Sequence, residues 1–176
     1  MSTIFLNYFA SKIVGETLAD IARRTKRRTK LTLRERGLLQ ALVLKTLNLV
    51  AGGRPPYFFD ILAREYVARG APKELVPLVK EKTMNFITTK EFDLAREFGR
   101  EFNRLLDKHG LLAHDRQACH LFANRIFKIL RKTPKCDRWK AYLMEFAYYA
   151  THYRLDEDVL AEIARLVEKY YDMIMK

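Results

Sequence analysis

The 176 residues, 49% of them hydrophobic and 31% charged, suffice for one or two compact units and exclude both a large multidomain enzyme and a chain too polar to fold. Lys and Arg number 33 against 21 Asp and Glu, and the resulting +12 points to a polyanionic partner, nucleic acid first and anionic lipid second. Two cysteines, Cys119 and Cys136, are too few for a disulfide scaffold and fit manufacture in a reducing compartment.

Apolar residues recur at helical spacing along nearly the whole chain, and no period-2 run is long enough for a strand, so the expected fold class is all-α. The first element runs from about Thr3 into a cationic tract, with Phe5, Phe9, Ile13, Val14, Leu18 and Ile21 on one apolar stripe. The tract holds Arg23, Arg24, Lys26, Arg27, Arg28, Lys30, Arg34 and Arg36, with Glu35 as its single acid. Thr32 followed by Glu35 has capping-box spacing and predicts a new helix at Leu33. Leu38 to Val50 is almost wholly Leu, Val and Ala, with Lys45 its only charge, and Gly52-Gly53 then Pro55-Pro56 stop it. Such a helix must be buried on most sides, either by another subunit, which is the expectation, or by the C-terminal helices.

From Pro56 to Ile87 the prolines Pro72 and Pro77 and Gly70 predict short, bent helices. Thr88 and Glu91 repeat the capping-box spacing ahead of a helix to His109 that carries Phe92, Ala95, Phe98, Phe102, Leu105 and Leu106, closed by Gly110. His114 or Asp115 opens the next, with Ala118, Phe122, Ile126 and Ile129 inward. Asp137 is the expected cap of a third bearing Trp139, Leu143, Phe146 and Ala150, and Asp156 that of a fourth bearing Val159, Ile163, Val167, Tyr170 and Ile174. Short connections between four such helices predict an antiparallel four-helix bundle. The expected organisation is therefore an extended basic helix and a hydrophobic helix over 1–54, a connector over 55–87, and the bundle over 88–176. Charge divides alike: 11 cations against 3 acids give +8 in residues 1–54, while 22 against 18 give +4 in the rest.

The scarcity of Ser, Gln and Asn, at two, two and five residues, beside abundant Lys, Arg and Glu is a thermophile-like balance. No run of 18 uncharged apolar residues exists, so no transmembrane segment is expected, and the start lacks the cationic region of a secretory signal.

On one continuous helix Arg23, Arg24, Arg27 and Arg28 project from one side and can grip successive phosphates, with Lys12, Lys26, Lys30, Arg34 and Arg36 around them and Thr25 and Thr29 as hydroxyl donors. These nine cations are the candidate nucleic-acid-binding residues. The bland alternative is a solvated cationic face. A helix-turn-helix reader would place its joint at Gly52 to Pro56, but Tyr57 to Ala68 offers only Asp60, Arg64 and Glu65 as strongly polar side chains. Phe5, Tyr8 and Phe9 could alternatively lie in a membrane interface.

Signals for an enzyme are poor. The histidines His109, His114, His120 and His152 come without HExxH or CxxC spacing, so neither a metal nor a cofactor is expected. Cys119 and His120 are adjacent on a helix and point apart. Arg104 and His109 have the Arg-x4-His spacing that resembles the HEPN class of ribonucleases, a spacing expected about once by chance in so basic a chain. No catalytic residue is assigned.

A cationic first helix (the Arg23 to Arg36 tract), a buried Leu-rich second helix and a helical C-terminal half from Thr88 together resemble the major capsid proteins of filamentous archaeal viruses, the rudivirus, lipothrixvirus and tristromavirus group. The resemblance implies subunits paired as homodimers or heterodimers of related chains, wrapping linear double-stranded DNA in A form and stacking into a helical filament. It implies residence in the virion after synthesis in the host cytoplasm, a DNA face formed by the nine cations above, and an outer wall built by the C-terminal helices. It assigns no role to 55–87. The alternatives are an archaeal helical DNA-binding regulator and the HEPN-like ribonuclease.

Overall fold

A computed structural model describes residues 4–26 and 30–175, and there the chain is all-α. Eight α-helices follow one another among these residues: α1 Ile4–Thr25, α2 Leu33–Ala51, α3 Phe58–Ala68, α4 Val76–Ile87, α5 Lys90–Lys108, α6 Ala113–Lys132, α7 Arg138–His152 and α8 Glu157–Ile174. Two short 3-10 turns, Lys73–Leu75 and Lys135–Asp137, precede α4 and α7. The helices form two compact units, one from residues 5–93 and the other built on residues 94–175. The expected helix start at Thr3, and the candidate residues Arg27, Arg28 and Thr29, lie outside the described residues.

In the first unit α1 buries Phe5, Leu6, Phe9, Ala10, Ile13 and Val14, so the aromatic start belongs to a core and not to a membrane interface. Leu18 and Ile21, expected on the same stripe, are half-buried. α1 is 22 residues long, about 33 Å, and ends at Thr25, short of the continuous helix through the cationic tract that the sequence predicts. It stops because Lys26 adopts the left-handed conformation at φ 54, which no helix interior contains, while the Thr25 hydroxyl donates to the Ile21 carbonyl at 2.8 Å. Like charges packed at successive turns also disfavour continuing a helix through such a tract.

α2 begins as its sequence dictates. The Glu35 amide donates to Thr32 Oγ1 at 3.1 Å and the Thr32 amide to Glu35 Oε1 at 3.0 Å, a complete capping box. Leu39, Leu42, Val43, Leu47, Val50 and Ala51 are buried against α3 and α4 of the same chain, which corrects the expectation that another subunit covers them. The stretch 58–87 therefore contributes to the core by enclosing the Leu-rich helix. Asn7 and Gln40 bond at 3.3 Å, placing the start of α1 beside the middle of α2. Gly53, at φ 92, turns the chain out of α2 in a conformation that a side chain would strain.

In the second unit α6 packs on α8 and α7, and α7 on α8. α5 joins this core through Phe98, 5.5 Å from Tyr170 on α8, and Phe102, 4.9 Å from the His120 ring on α6. Fully buried Phe98, Phe102, Leu106, Phe122, Ile126, Ile163, Val167 and Tyr170 fill its centre. Asp156 caps α8 as expected, accepting from the Asp158 amide at 2.8 Å. Three expectations shift. At α5 the cap is Thr89, whose hydroxyl accepts from the Phe92 amide at 3.3 Å, and not Thr88, which donates to the Asn85 carbonyl. Asp137 makes no capping bond at α7, and that helix is rolled so that Tyr142, Phe146 and Tyr149 face its neighbours while Trp139 and Leu143 are exposed.

Candidate nucleic-acid interface

The cationic tract falls where α1 ends and α2 begins. At the α1 end, Arg23 and Arg24 sit near the partial negative charge of the last carbonyls, an arrangement that also has a purely structural benefit. Arg23 is engaged: its guanidinium bonds to Asp20, which also accepts the Lys82 ammonium from α4. Those two cations, Lys82 foremost, hold the Asp20 carboxyl below the usual carboxylate range. Lys12 forms only a loose, exposed pair with Glu16 at 4.0 Å.

The remaining positions are more open. Arg24, Lys26, Lys30 and Arg36 are exposed, and none forms an ion pair among the described residues. Arg34 donates to the Arg69 carbonyl at the end of α3, at 3.1 Å. A Cβ built on Gly15 would lie 3.9 Å from Arg36 Nη2, an ordinary contact distance, which places the Arg36 side chain alongside α1. Of the nine candidate cations, seven are thus described, and Arg27 and Arg28 are not.

Position makes these charges informative. A helix start carries partial positive charge from its unpaired amides, so stability favours acids there. α2 has Glu35 in its first turn, yet Lys30, Arg34 and Arg36 surround the same end. Like charge accumulated at a positive helix end weakens the isolated fold and raises the local affinity for an anion. Leu33, 91% exposed, stands among these cations.

Two cations at this end were not found from the sequence. Lys82 reaches it through Asp20, and Arg69 through its carbonyl bond to Arg34 and its place over the Tyr66 ring at 5.3 Å. Neither lies in a basic run, and only tertiary packing brings them in.

The alternative sites read differently. On α3, the outward face pairs Asp60 with Lys80 at 2.8 Å and Glu65 with Arg69 at 2.7 Å, so a groove-reading helix would present two carboxylates to phosphate. His109 Nε2 lies 3.0 Å from Glu162 Oε2 on α8, an engagement that depresses the Glu162 pKa, with Lys108 adding to it at 3.5 Å. His109 thus ties the end of α5 to α8, and Gly110 at φ 63 then turns the chain. Among the described residues no three His, Cys, Asp or Glu side chains gather as a metal site.

Cys119 is fully buried and its thiol is pushed up to about 11 by burial, whereas Cys136 is exposed. A maleimide at pH 7.5 should therefore label the native protein once, at Cys136, and label Cys119 only after denaturation. Mass spectrometry of the digested adduct reads this directly, and native labelling of Cys119 would contradict the packing of α6.

Comparison with protein-family models, with curated proteins and with solved structures gives no match for this chain.

Proposed function

We propose that the chain is a structural protein that binds double-stranded DNA without reading its sequence and assembles around it as a helical filament. The observation that carries this reading is the group of exposed cations, Arg24, Lys26, Lys30 and Arg36, without ion pairs among the described residues, at one end of the first unit. Flexible cations of this kind contact phosphates and displace counterions whatever the base sequence, the mode required to cover a whole genome. Arg23, Arg34 and Lys12 join by exchanging exposed partners for phosphate, a small loss because exposed ion pairs contribute about 0–1 kcal/mol. In its fullest form the proposal is a major capsid protein of a filamentous archaeal virus, resident in the virion. Its partner is an identical or related subunit, its DNA is held in A form, and its C-terminal helices form an antiparallel four-helix bundle that serves as wall. No catalytic step is required.

Imaging purified protein mixed with linear duplex DNA tests assembly. The proposal expects filaments of uniform diameter whose length follows that of the DNA. Particles that bind DNA but never order into a polymer would overturn the packaging reading.

A further inference from the structure

Helix α7 exposes Trp139 and Leu143, two of the four residues that the sequence assigns to its core side. Trp139 is 57% exposed, Leu143 60% and Met144 76%, with Ala147 exposed beside them. At 100° per residue these four side chains cover an arc of about 140°, and Trp139 and Met144 are separated by about 7.5 Å along the axis. The opposite side is properly occupied: Phe146 and Tyr149 pack on Phe122 at 5.3 and 5.2 Å, and Tyr142 donates to Glu168 at 3.2 Å. An apolar face of this kind has a consequence in water, because large aromatic and aliphatic side chains rarely cluster outward without a partner.

The chain segment that leads into this face is cationic. Lys128 and Lys132 at the end of α6, Lys135 in the turn and Lys140 on α7 are exposed and form no ion pair among the described residues. Lys140 Nζ sits 5.6 Å from the Trp139 ring centre, and Arg131 and Arg138 lie in the same segment. Between Ile126 and Met144 the only acid is Asp137. This charge selects an anionic partner.

The apolar residues then decide which anion. A nucleic acid would satisfy the lysines but leave Leu143 and Met144 in water, since neither can hydrogen-bond a phosphate or stack on a base. A bilayer with acidic headgroups satisfies both: lysines reach the phosphates, the indole lies at the headgroup level, and Leu143 and Met144 enter the acyl boundary. The geometry points to α7, with the end of α6, as a surface that lies on anionic lipid membranes. No described helix is long and apolar enough to cross one, so the contact is in the plane of the interface. The inference stands apart from the DNA reading, which uses other residues in the other unit.

Trp139 is the only tryptophan, so its emission reports this face alone. The full chain is mixed with phosphatidylglycerol vesicles, phosphatidylcholine vesicles or duplex DNA in about 0.1 M salt. The inference expects a blue shift and co-sedimentation with phosphatidylglycerol only. It expects the apparent vesicle affinity to fall about tenfold or more in Leu143→Glu and again in Lys132→Gln with Lys135→Gln. Both variants should keep the circular dichroism and the DNA affinity of the parent. An unchanged emission with phosphatidylglycerol would overturn it. So would a shift that follows protein concentration without vesicles, the signature of self-association, or one produced by DNA alone.

Discussion

Replacing Arg24, Lys26, Lys30 and Arg36 together by glutamine is expected to weaken duplex binding by roughly 10³-fold at 0.1 M salt. Each phosphate contact contributes about 0.9 to the slope of log affinity against log salt, which at this concentration is about eightfold in affinity. Four such contacts give between 10³ and 10⁴ as an order of magnitude. All four side chains are exposed and make no ion pair among the described residues, so their loss leaves the fold intact. Arg23→Gln should cost less, because Asp20 already competes for that guanidinium. Asp20→Asn should strengthen binding by releasing both Arg23 and Lys82. Fluorescence anisotropy with a labelled duplex measures all three, and equal affinity of the quadruple variant and its parent would remove these residues from the interface.

Phe102→Ala is expected to destabilise the second unit by about 3–5 kcal/mol. Phe102 is fully buried, 5.7 Å from Phe98 and 4.9 Å from the His120 ring, and it holds α5 against α6. Truncation leaves a cavity that rigid helices on both sides cannot close, and the loss is a large part of the roughly 5–15 kcal/mol that keeps a domain folded. Two compact units need not unfold together, so a single melting temperature is a poor probe. Amide exchange resolved by segment should show protection lost in α5, α6 and α8 and kept in α2. Protection unchanged in α6 would mean that Phe102 does not support it.

Much of this fold is written locally. The Thr32 and Glu35 box starts α2 at the expected residue because the capping bonds involve only atoms three positions apart. Asp156 works for the same reason. At Thr88 and Thr89 two adjacent hydroxyls compete, and spacing alone could not choose the one that faces the Phe92 amide. The roll of α7 was illegible because apolar residues surround the helix: Trp139, Leu143 and Met144 on one side, Tyr142, Phe146 and Tyr149 on the other. Only the position of Phe122 on α6 decides between them.

The same division holds for the candidate site. Cation density is a property of sequence, and Arg24, Lys26, Lys30 and Arg36 follow from it. The break at Lys26 depends on one backbone angle that no count of residue types shows, and the expected continuous ladder ends there. Lys82 meets Asp20 across 62 positions, a pairing no local pattern encodes.

The cations at the front of the chain are proposed to neutralise duplex DNA regardless of its sequence. The most direct test is the affinity of the unmodified protein for two unrelated duplexes of equal length over a salt series. Two superimposable lines of log affinity against log salt are expected, with a slope of about −3.6 or steeper from four or more phosphate contacts. A slope near zero, or one duplex bound about 10³-fold more tightly than the other, would contradict the proposal.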